Sequence, residues 1–172
     1  MKRPYPILLA FTVLLALHAC TRSYEIYSTK YRVSFSCDIS LPPFNSLNTL
    51  GHFLAVRPTA AKDGYKVRFP NGKEQQFPYT EIQNRIFEFG LAGILIGSPY
   101  FGEGEIYAYD LACPQCDKSS ARLTANTDGI ATCAKCGTVY DLNNSGVALN
   151  SDSRPLYRYR TRLNGNTLII QN

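Results

Sequence analysis

The sequence has no tryptophan, a single methionine and only two histidines, His18 and His52. No Ser-His-Asp set, no acid pair in a recognisable motif and no glycine-rich phosphate loop is visible. Gly90-Leu91-Ala92-Gly93 is too short for such a loop and stands in the wrong context. An enzyme acting alone is therefore the least expected class. Charge of one sign is scarce as well. The full chain carries +5, and +3 remains once Lys2 and Arg3 are set aside with the leader described below. So mild an excess implies no nucleic-acid partner. Also missing are a long helical period, internal repeats, low-complexity stretches and long linkers. What remains is one domain of ordinary size in 172 residues, 45% of them hydrophobic, which is enough for a packed core. Twelve tyrosines, nine phenylalanines and many β-branched residues lean toward strands.

The first nineteen residues read as a leader. Lys2 and Arg3 form a positive start, and Ile7 to Leu17 is an apolar run of eleven residues, too short to cross a bilayer as a helix. Small residues and a cysteine follow, the pattern of a secretory signal peptide over 1–19. Its end, Leu17-His18-Ala19-Cys20, resembles the lipobox of bacterial lipoproteins. That resemblance implies cleavage before Cys20 and acylation of its sulfur, with chains such as palmitate holding the protein on a membrane of the bacterial cell envelope. Residues 20–30 are then the lipidated N-terminus and its tether, and 31–172 the exported domain.

That domain reads as all-β. Tyr31 to Ser36 alternates apolar and polar, and His52–Val56 and Tyr65–Phe69 are further candidate strands. Pro70-Asn71-Gly72-Lys73 is a turn leading to a strand around Gln75–Phe77, and Thr80 to Asn84 could open a short helix. Leu91 to Gly97 is an apolar run suited to a buried strand, and Glu105 to Asp110 alternates again. At the C-terminus, Leu156–Leu163 and Thr167–Ile170 flank Asn164-Gly165-Asn166 as a hairpin. Arg158, Arg160 and Arg162 fall on one face of that run, with Arg154 just before it, and read as a solvated face. The expected architecture is a β-sandwich or small barrel.

Six cysteines occur. Cys20 belongs to the lipid, and Cys37, alone at a strand end, is a small buried hydrophobe. The other four form Cys113-Pro-Gln-Cys116 and Cys133-Ala-Lys-Cys136, separated by sixteen residues. This is the spacing of a tetrathiolate metal site. In each pair a tight turn aims two sulfurs at one ion and needs a positive φ just past the second cysteine. Gly137 adopts that conformation freely and Asp117 tolerates it. Lys118 and Lys135 stand where they can screen the excess negative charge. Disulfides are the competing reading, because an exported protein meets an oxidising compartment.

From about Leu91 onward the chain resembles the Rieske domain of ring-hydroxylating ferredoxins. Tyr107-Ala108-Tyr109-Asp110-Leu111-Ala112-Cys113-Pro114 is similar to the entry into the family's first ligand loop. Cys133-Ala134-Lys135-Cys136-Gly137-Thr138-Val139-Tyr140-Asp141 is similar to its second. Gly146, Pro155-Leu156-Tyr157 and Leu168-Ile169 match the segments that follow. The resemblance implies a Rieske-like β-sandwich or barrel with a small metal-binding subdomain of two Cys-x2-Cys loops, about 111–118 and 131–141. It also implies that Thr138 and Tyr140 donate to sulfur at the cofactor. A Rieske 2Fe–2S cluster takes two cysteines and two histidines. Here Cys116 and Cys136 stand in the histidine positions, and the first loop is one residue longer. The His-ligated cluster is thereby excluded, which leaves an all-cysteine 2Fe–2S cluster or a single zinc or iron. Two functions follow as expectations. One is electron transfer to a redox partner protein, as a component of an oxidoreductase system. The other is a structural zinc site in an envelope protein with an interaction role.

Overall fold

The computed structural model describes residues 30–102 and 104–172. The expected signal peptide, Cys20 and nearly all of the tether lie outside the described residues. The chain runs β1 (Val33–Asp38), a 3-10 turn (Phe44–Asn48), β2 (Phe53–Pro58), β3 (Gly64–Arg68), β4 (Glu74–Pro78), α1 (Glu81–Ile86), β5 (Glu88–Phe89), β6 (Ile94–Gly97) and β7 (Tyr107–Asp110). It continues through β8 (Leu123–Ala125), β9 (Ile130–Cys133), β10 (Val139–Asp141), β11 (Val147–Ala148), β12 (Arg160–Asn164) and β13 (Thr167–Gln171). The strands form three antiparallel sheets, ordered β12-β13-β1-β5, β4-β3-β2-β6-β7 and β11-β10-β9-β8.

The five-stranded sheet lies between two hydrophobic cores, and the alternation of its strands says why. Along β6, Ile94 and Ile96 enter one core and Leu95 the other. Along β2, Leu54 and Val56 face the first core and Phe53 the second, and along β7 Ala108 opposes Tyr109. Successive residues of a strand point to opposite faces. A strand covered on both sides must therefore be apolar throughout, as the Leu91–Gly97 run is. The first core is completed by Val33 and Phe35 of β1 and by Leu168 and Ile170 of β13. The second is completed by Leu123, Ala131, Tyr140 and Leu142 of the β8–β11 meander. At roughly 2 kcal/mol for each large apolar side chain withdrawn from water, these two cores supply the main drive for folding.

One sequence expectation needs amendment. The run read as one strand from Leu156 to Leu163 divides, with ladder pairing to β13 starting only at Arg160. Before that, the Tyr157 carbonyl accepts from the Asp110 amide and the Tyr159 amide donates to the Ala108 carbonyl. Residues 156–159 are a strap along β7, and the chain changes sheets there. Leu163, which alternates with the arginines, is exposed at the hairpin end. The short helix does form, and Thr80 and Gln83 close a reciprocal capping box at its start.

Candidate metal centre

Each cysteine pair sits in a knuckle anchored by a strand. Cys113 stands three residues past the end of β7, and its amide donates to the Ala121 carbonyl. Cys133 ends β9, and its amide donates to the Thr138 carbonyl. The first turn closes with the Cys116 and Asp117 amides donating to the Cys113 carbonyl, the second with the Gly137 amide donating to the Cys133 carbonyl. Asp117 takes φ +48° and Gly137 φ +73°. Both lie in the left-handed region that such turns demand, at the two positions the sequence marked.

The knuckles face one another, and the four sulfurs lie within 4.8 Å of one another. Cys113 and Cys136 are 3.6 Å apart, and Cys116 and Cys133 are 3.9 Å apart. Four thiolates on one tetrahedral ion, with bonds of about 2.3 Å, have edges of about 3.8 Å. The group therefore fits a metal ion such as zinc or iron. In each knuckle the first cysteine is buried, whereas Cys116 is partly buried and Cys136 exposed. Cys37 is apart from this group, in the first core, where burial and the neighbouring Asp38 charge push its thiol up to about 12. His52 precedes β2 and is not a member of the group either.

The two hydroxyl residues singled out in the sequence reach the sulfurs. Thr138 Oγ1 is 3.2 Å from Cys136 Sγ. Tyr140 Oη is 3.5 Å from Cys113 Sγ and 2.9 Å from Ser153 Oγ. Ser153 was not anticipated, and no local pattern marks it. The thiols differ in acidity when no metal holds them. Burial raises Cys116 to about 12, reinforced by the Cys136 and Cys133 sulfurs. Burial opposes ionisation of Cys136 too, but the Thr138 hydroxyl and amide, then Cys116 and Cys113, bring it down to about 6.

Behind the site stands Asp110, which the sequence reading did not single out. It is buried, and its carboxylate accepts from the amides of Ala112 (2.7 Å) and Leu91 (2.8 Å) and from the Tyr159 hydroxyl. It joins β7, the β5–β6 turn and the strap immediately before the first knuckle. Arg158, in the arginine run read as a solvated face, lies 3.6 Å over the Tyr107 ring and pairs with Glu105 at 3.1 Å. No family model and no curated protein matches the sequence.

Proposed function

We propose that this chain is an exported lipoprotein of the bacterial cell envelope, anchored through Cys20, whose Rieske-like β domain carries one tetrathiolate metal ion. The convergence of all four sulfurs within 4.8 Å carries the reading. A 2Fe–2S cluster takes its cysteines as two pairs, one pair per iron, separated by bridging sulfides. A single ion takes all four around one point, as here. The Rieske-like part is supported by three arrangements: β7 leads straight into the first knuckle, Gly146 receives the Leu156 amide, and the β12–β13 hairpin closes on β1. Zinc in this site is structural, since four protein ligands leave no open position. It ties the knuckle that follows β7 to the one between β9 and β10, in a meander whose core is rich in alanine, and the domain so held serves an interaction role.

A second reading, electron transfer through a single iron, is favoured by the exposed Cys136 edge and the hydroxyls of Thr138 and Tyr140. Iron in a tetrathiolate site carries one electron at a time, and donors to sulfur stabilise its reduced state. Anaerobic purification followed by metal analysis and visible absorption separates the two. One zinc per chain and no colour is the expected result. One iron without labile sulfide would move the function to electron transfer. Two irons with two sulfides, or four oxidised sulfurs without metal, would overturn the single-ion site.

A further inference from the structure

We infer that Asn150 is a positioning residue of the metal centre: it holds Thr138 against the exposed ligand Cys136 and so lowers the reactivity of that sulfur. The inference rests on the tetrathiolate site proposed above. Cys113 and Cys133 are buried, whereas Cys136 stands exposed at the edge of the group. A bound thiolate at such an edge is the one that electrophiles and oxidants reach first. The hydroxyl beside it belongs to Thr138, a buried residue whose Oγ1 is 3.2 Å from Cys136 Sγ. A thiolate has no proton to give, so toward a metal-bound sulfur the hydroxyl is the donor. Such a donor lowers the basicity of the sulfur and, with it, its nucleophilicity.

One side chain grips the backbone on both sides of Thr138. Asn150 Nδ2 donates to the Gly137 carbonyl at 2.9 Å, and Asn150 Oδ1 accepts from the Val139 amide at 2.9 Å. The Gly137 carbonyl shares a rigid peptide plane with the Thr138 amide, and the Val139 amide shares one with the Thr138 carbonyl. Fixing both planes sets the backbone angles of Thr138, and these direct its amide and hydroxyl toward Cys136. The position takes a carboxamide, because an aspartate offers no donor to Gly137. Asn150 is itself exposed, and water can satisfy the same two groups. What the side chain adds is therefore direction more than energy. The same loop also backs the other hydroxyl at sulfur. Ser153 Oγ is 2.9 Å from Tyr140 Oη, which is 3.5 Å from Cys113 Sγ. Both sulfur-facing hydroxyls are thus placed by the turn between β11 and the strap.

The test uses the full chain, loaded with zinc in the absence of oxygen and kept in excess zinc so that loss of the ion does not limit the reaction. Alkylation of Cys136 by iodoacetamide, in which the sulfur takes the carbon and iodide leaves, is followed site by site by mass spectrometry. Asn150→Ala should speed it roughly tenfold and Thr138→Val roughly fivefold, the scale on which lost outer partners of a metal ligand are felt. The double variant should react no more than roughly twice as fast as Thr138→Val, because both changes act on one set of donors. A general loosening of the loop would instead multiply in full on either background. Exchange protection of β9 and β10 should persist in Asn150→Ala; if it does not, Asn150→Ser, too short to span both groups, takes its place. A zinc-loaded Asn150 variant whose Cys136 reacts at the original rate overturns this inference and leaves the metal site standing. The same increase on both backgrounds does so too. A chain that takes up no zinc overturns both.

Discussion

Gly137 and Asp117 close the two knuckles with the same handedness but not at the same cost. A left-handed residue with a Cβ costs about 1–2 kcal/mol over glycine. A Cβ at Gly137 would meet nothing within 4 Å, so Gly137→Ala isolates the backbone term. It should destabilise the metal-loaded protein by about 1 kcal/mol, and Asp117→Gly should stabilise it by somewhat less, both read from denaturant midpoints. Tyr140→Phe removes the hydroxyl shared by Cys113 and Ser153. Metal affinity should drop roughly tenfold in competition with a chromophoric chelator, with the fold intact. Asp110 tests the buried carboxylate. Burial pushes it up, against the Tyr159 hydroxyl and the Ala112, Leu91 and Ala92 amides that pull it down. Its folded value therefore exceeds the ordinary 3.8, and the folded state keeps the proton longer as pH rises. The associated stability is fully present below the ordinary value and is lost as pH climbs through the folded one. Asp110→Asn should flatten that part of the stability–pH curve. At neutral pH it should cost roughly 1–3 kcal/mol, because an amide nitrogen then faces donors.

The β8–β11 meander and the sheets around the first core depend on different forces. The first core is built of phenylalanines and branched aliphatics. The meander contributes strands of two to four residues and a core containing Ala121, Ala125 and Ala131. Its order is completed by the knuckles, and metal binding at such a site is coupled to local folding. Strong chelation should release amide protection across residues 121–148 and leave β1, β2, β3 and β6 protected, as followed by hydrogen exchange. The same contrast explains what the sequence made legible. β1 alternates over six residues, and the capping residues of α1 announce the helix, so both could be read directly. The meander strands are too short to display a period, and the second stretch taken as a ligand loop, 131–141, holds most of β9 and all of β10. The strap at 156–159 reads as strand because Tyr157, Arg158 and Tyr159 continue the alternation of the run. Its partner is β7 rather than β13, a choice made by tertiary packing. The metal site was legible residue by residue, since the cysteines, Gly137, Asp117, Thr138 and Tyr140 all lie in short motifs. Asp110 and Ser153 are not legible because the partners that give them a role, Leu91 and Tyr159 for one and Tyr140 for the other, are distant in sequence.

For the molecule as a whole, location decides how the centre lives. Intact-mass analysis should find acyl chains on Cys20 at the mature N-terminus, and Cys20→Ala should leave the chain unacylated, in the soluble fraction or as an uncleaved precursor. Outside the cytoplasm, thiols without metal are oxidised. Two pairs of sulfurs already stand close across the gap, Cys113 with Cys136 at 3.6 Å and Cys116 with Cys133 at 3.9 Å. Oxidation drawn along those short paths would lace the two knuckles to each other instead of sealing each upon itself. A chain that had lost its ion would keep the clasp between β7 and the meander, in covalent form. Reduction and metal would then have to return together for the original centre to be rebuilt.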